Sequence, residues 1–255
     1  MLEPLLYTSA IFVCMLAMLE AGRQLHRKHK AAGDAVTEGV GTLEGAVFGL
    51  FGLLLAFSFS GAVDRFSVRR ALIVKESSTI DSAWQFLDLL PEKDRQEQRT
   101  RFRSYVDARI AAYNKLPDLD AFTSALTVAE GIYAQIWAAA VASSVDPKRP
   151  VDYSQILLPK LQEMSDVAFD RRAAFKNHPP AVIFAMLFIF ALLSSLLAGY
   201  TLGDHQGRRS IHRFSFAVAV ALTVYVSIDL EFPRFGLIRV DGADSYLVQL
   251  RAGMK

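Results

Sequence analysis

Apolar residues gather in four dense runs, and the stretch between the second and third is polar enough for water. The first run, Pro4 to Gly22, reads PLLYTSAIFVCMLAMLEAG. The second extends from Leu43 to Val63 with Glu44 as its only charge. The third, Ala181 to Tyr200, is the most apolar piece of the chain, and the fourth runs from Phe214 to Leu230. About 20 apolar residues cross a hydrocarbon core, so each run predicts a membrane-spanning helix. Glu3 precedes the first run without a Lys or Arg, and no convincing small-x-small cleavage site follows, so this run reads as a retained helix and not a leader. Between the second and third runs the pattern is helical throughout. Phe66, Ile73, Ile80, Trp84 and Leu87 share one face at heptad-like spacing. Pro91 ends that helix. A second is expected over Glu92–Lys115 (Phe102, Val106, Ile110 and Tyr113 inward), a third over Asp118–Ser144 and a fourth over Tyr153–Asn177, with DPKRP at 146–150 as a turn. The expected fold is an all-α integral membrane protein of four transmembrane helices, with a helical extramembrane domain inserted between the second and third. Residues 1–63 hold the first two spans and 64–178 the helical domain, continuous with the helices beside it. Residues 179–231 hold the last two spans and 232–255 a tail. Gly236 to Val240 is expected to be a short extended piece, followed by a short amphipathic helix docked on the bundle.

The second run carries the most information. Gly41, Gly45 and Gly49 recur every fourth residue, and Gly52, Ala56 and Ser60 continue the spacing. The result is a nearly bare stripe on one helix face. In lipid the hydrophobic effect does not drive helices together, and small residues let backbones approach. The stripe fits packing on another helix of the same chain, a subunit interface, or a pore wall. Phe48, Phe51 and Phe59 fall on one side of the helix. Facing lipid is one role for such rings; another is a constriction around an oligomer axis that gates by dewetting. Ser58 and Ser60 would offer hydroxyls to an anion just below. Glu44 sits about one turn inside the span, where it either reaches the interface, pairs across subunits or lines a wet pore. Asp64 and Arg65 end the span as an interfacial charge pair or as a gate.

Composition supports the membrane reading and narrows the chemistry. The chain is 52% hydrophobic with positive mean hydropathy, high for a water-soluble protein. A net charge of +2 gives no electrostatic footprint for nucleic acid. One cysteine, Cys14, excludes disulfide frameworks and cysteine-based metal sites. His26 and His29 lie three apart without a third ligand nearby, which reads as a solvated basic patch. No phosphate-binding Gly loop, nucleophile elbow or dinucleotide fingerprint occurs. No catalytic residue, metal site or cofactor is therefore expected. Asp229 and Glu231 are expected to pair with Arg234 or Arg239. The short loops carry Arg23, Arg27, Lys28 and Lys30 in one case and Arg208, Arg209 and Arg213 in the other. By the positive-inside rule this places the N-terminus outside a bacterial cytoplasmic membrane.

The run GLLLAFSFSGAVDRFSVRRALIVKESSTIDSAW resembles the bestrophin-like domain family of bacterial membrane proteins. DLLPEKDRQEQRTRFRSYVDARI and the ending DLEFPRFGLIRV are also similar to it, so the resemblance covers nearly the whole chain. Val63-Asp64-Arg65-Phe66 is more distantly similar to the Tyr-Asp-Arg-Phe/Trp run of bacterial bestrophins, with Val63 in the place of the Tyr. Bestrophins are pentameric anion channels whose second span lines the pore. The resemblance therefore implies a homo-oligomer, an inorganic anion as permeant species, and an apolar neck among Phe51, Leu55, Phe57 and Phe59. It also implies a cytoplasmic helical domain, the reverse of what the loop charges favour. Apart from conduction, the chain fits a membrane anchor whose helical domain binds a partner or senses a signal.

Overall fold

The structure, a computed structural model, describes residues 2–32, 40–144, 154–201, 209–234 and 236–255. Eight α-helices are found among them: α1 (Leu2–Ala31), α2 (Val40–Phe86), α3 (Glu92–Tyr113), α4 (Leu119–Ser144), α5 (Ser154–Lys176), α6 (Ala181–Thr201), α7 (Arg209–Glu231) and α8 (Asp241–Gly253). A 3-10 turn at Leu87–Leu89 precedes α3. No strand occurs among the described residues, so the all-α class is met. Among the described residues five helical stretches are long and apolar enough to cross a membrane, and α4 is one of them. The chain divides into two compact units, Met1–Phe66 with His178–Ile238, and Ser67–Asn177 with Arg239–Lys255.

The first unit is built on α1, α6 and α7, with the first part of α2. Met15, Leu19, Phe51, Leu187, Ala191 and Ala217 are among its buried apolar residues. The α1–α6 crossing depends on two glycines. A Cβ on Gly199 would lie 2.0 Å from the Leu19 carbonyl oxygen, and one on Gly22 would lie 2.0 Å from that of Leu196. Backbones this close leave no space for any side chain, the small-residue packing expected in lipid. Three expectations need correction here. α1 does not stop near Gly22 but continues to Ala31, through residues whose polarity predicts a connection. Arg, Gln, Leu and Lys favour helix, and Lys28, His29 and Lys30 suit the negative end of its dipole. His26 is not in a solvated patch. It is 9% exposed, with its ring edge-on to Tyr200. α7 also begins earlier than expected, at Arg209.

The second unit has its own core. Ile80, Leu87, Phe102, Val106, Ile136 and Leu161 are fully buried in it. The stripe that runs along α2 into the 3-10 turn, with Ile73, Ile80 and Leu87, is buried as its spacing predicts, and Trp84 lies half-buried against Phe102. From the tail, Leu247 and Met254 enter the same core, and Arg251 makes two hydrogen bonds to Asp107, at 2.8 and 3.0 Å. Gly236 to Val240 is described without extended pairing, and α8 follows it. The DPKRP turn lies outside the described residues.

Candidate pore-lining helix and its charged end

α2 presents two unlike faces within the first unit. On the inward face Phe51 is 3% exposed, Leu55 is half-buried against the same cluster, and Glu44 is 5% exposed. On the outward face Gly41, Gly45, Gly49, Gly52, Ala56 and Ser60 are all exposed. A Cβ built on any of those four glycines meets nothing within 4 Å. Among the described residues the stripe is therefore not a packing surface for another helix of this chain, which removes one of its three readings. Phe59 and Phe57 are 37% and 68% exposed. Phe48, Phe51 and Phe59, expected on one side of the helix, differ in their surroundings. Phe51 is buried in the core, Phe48 is half-buried edge-on to Phe216, and Phe59 is partly exposed. Ser58 is half-buried while Ser60 is open. Glu44 turns inward and accepts a hydrogen bond from the Thr201 hydroxyl at the end of α6, so it is not offered on the open stripe.

The end of the span beyond Val63 is organised around Glu231. Arg65 Nε donates to Glu231 Oε2 at 2.7 Å, and His178 Nδ1 lies 2.9 Å from Oε1. The His178 ring stacks on Phe232 with centroids 4.7 Å apart. Asp64 is exposed. Arg65 therefore pairs across 166 positions of sequence and not with its neighbour, because adjacent residues on a helix do not face each other. Asp229 does not take an arginine from this tail either. Its carboxylate accepts the backbone N–H groups of Leu237 and Ile238 at 2.8 to 3.0 Å, while Arg239 pairs with Asp241. Asp229 fits so closely that a Cβ on Gly236 would fall 1.2 Å from its Oδ1.

A second charged constellation lies in the helical unit. Glu76 is fully buried. It receives Arg109 Nε at 2.6 Å on Oε1 and Arg171 Nη1 at 2.5 Å on Oε2. Arg171 also donates to Asp244 of α8 at 2.8 Å and lies over the Tyr113 ring, 3.5 Å from its centre. Burial alone would raise the Glu76 pKa, but the two guanidiniums outweigh it and hold the carboxyl below its ordinary range. Burial pushes the nearby Tyr105 phenol upward. Sequence reasoning did not find this clamp, although a signal was present. Glu76 falls three after Ile73 and four before Ile80, on the core stripe, where an unpaired charge is not tolerated. Which residues answer that charge was not legible, since Arg109 and Arg171 lie 33 and 95 positions away.

Among the described residues, no three of His, Cys, Asp or Glu gather as a metal site. No curated protein matches the chain significantly. A solved structure, the crystal structure of a point mutant of a bacterial bestrophin homolog from Klebsiella pneumoniae, superposes with a TM-score of 0.72 over 97% of this chain and 98% of that one, at 13% identity. That likeness is one of fold. The model of the bestrophin-like domain matches residues 9–243, all but the two ends. The chain belongs to the bestrophin-like domain family.

Proposed function

We propose that this chain is one subunit of a homo-oligomeric anion channel in the bacterial cytoplasmic membrane, with the open face of α2 as the pore wall. The observation that carries the reading is the uncovered glycine stripe at Gly41, Gly45, Gly49 and Gly52. Bare backbone gives lipid little to pack against but lets helices of neighbouring copies come close. The bestrophin-like family supports a channel, and a pentamer is the subunit number by analogy. α1, α2, α6 and α7 are the four spans. α4 stays in water in this reading, because it packs on α3, whose sequence EKDRQEQRTRFRSYVDARIAAY is too charged for a bilayer.

Exposure refines the neck. Phe51 and Leu55 anchor α2 to its own subunit. Leu53 and Phe57, one helical turn apart and 52% and 68% exposed, are the side chains that face the axis, with Phe59 and Ser60 on the adjoining side. Asp64 sits at the mouth. Reconstituted in a planar bilayer, the protein passes chloride current, and Phe57→Ala raises the conductance. A silent bilayer with insertion verified leaves the anchor alternative.

A further inference from the structure

α1, α2, α6 and α7 of the first unit line an open-sided cavity of about 620 Å³. Its walls are apolar, including Ile11, Leu54, Phe184 and Leu187, and its polar groups gather at the end marked by Arg65, Glu231 and Ser227. From Leu54 to Arg65 the cavity follows α2 for roughly 16 Å at about 1.5 Å per residue. This is the shape of a hydrocarbon chain and within the roughly 300–1,000 Å³ of small-ligand sites. Arg65 is 26% exposed, and its one hydrogen bond among the described residues is from Nε to Glu231. Its two terminal nitrogens fold over Gly61, where a Cβ would lie 3.2 Å from Nη1. Glu231, at 1% exposure, is taken up by Arg65 and His178. At the depth where an apolar span ends, the acceptor that matches the guanidinium N–H edge left over is a phosphate.

We propose that this cavity holds one acyl chain of a membrane phospholipid, with the lipid phosphate accepting hydrogen bonds from the Arg65 guanidinium. The site concerns the interior of one subunit and stands whether or not the protein conducts. Cys14, the single cysteine, is exposed and lines the cavity, so its alkylation rate reports occupancy.

The test uses the full chain in an alkyl maltoside micelle, which carries no phosphate. Maleimide modification of Cys14 is followed while dioleoyl phosphatidylglycerol or dioleoylglycerol is added. The phospholipid slows modification near one equivalent per chain, and dioleoylglycerol needs about tenfold more, the share of a charge-assisted hydrogen bond. Arg65→Gln raises the phospholipid midpoint by about the same factor. Ala10→Trp, at an exposed lining position, removes the protection while helicity by circular dichroism is kept, which guards against an Arg65 variant that fails to fold. Equal protection by the two lipids, or none by either, overturns the proposal. So does a Cys14 that reacts slowly before any lipid is added, because a second copy then covers the opening.

Discussion

Phe51 and Phe57 lie less than two helical turns apart on α2 and have opposite surroundings. Phe51 is packed among Met15, Leu187 and Val220, whereas Phe57 is two-thirds exposed. Phe51→Ala should therefore cost about 3–5 kcal/mol of stability, read as a lower thermal midpoint in detergent, while Phe57→Ala leaves the midpoint unchanged. Glycines divide in the same way. Gly199→Ala drives a methyl into the Leu19 carbonyl and should lower the thermal midpoint through an overpacking cost of about 1–3 kcal/mol. At Gly45 an added Cβ meets nothing within 4 Å. Gly45→Leu should leave that midpoint alone and weaken assembly, seen as lower mass in light scattering. Periodicity made the glycine stripe visible but did not say which side of α2 the subunit uses. That side is chosen by partners on α6 and α7, distant in sequence.

Among the elements, α2 and the helical unit carry the second set of consequences. Runs of apolar residues and prolines located most helices to within a few positions, because hydrophobic periodicity and Pro are local signals. The long extension of α1 was missed because charged straight-chain residues fit helix and loop equally. The Glu76 clamp was missed because pairing is not local. Glu76→Gln removes the carboxylate that two buried guanidiniums share, leaving Arg171 with Asp244 alone and Arg109 without its carboxylate partner, and should destabilise the helical unit by about 3–5 kcal/mol, measured by urea unfolding of the full chain in detergent. The pH dependence has a definite sign. The folded carboxyl binds its proton less readily than the unfolded one, whose ordinary value is 4.5. Its stabilising contribution is then complete above that value and is lost as pH falls through the lower folded one. The wild-type thermal midpoint should drop more steeply on acidification below about pH 4.5 than that of Glu76→Gln.

At the scale of the whole molecule, the proposed pore requires more than one copy of the chain. α1, α6 and α7 cover only the inward side of α2; on the outward side a Cβ at Gly41, Gly45, Gly49 or Gly52 meets nothing within 4 Å among the described residues, and Leu53 and Phe57 beside them are 52% and 68% exposed. The hydrocarbon-length runs and the family resemblance were legible in the sequence. The open side of α2 was not, because it is defined by where the other helices are absent. Single-particle symmetry of the purified protein in detergent tests the central claim most directly. A ring of copies about an axis lined by Gly49, Leu53 and Phe57 is the predicted result. A monomer, or an oligomer whose axis lies away from this face of α2, would contradict it.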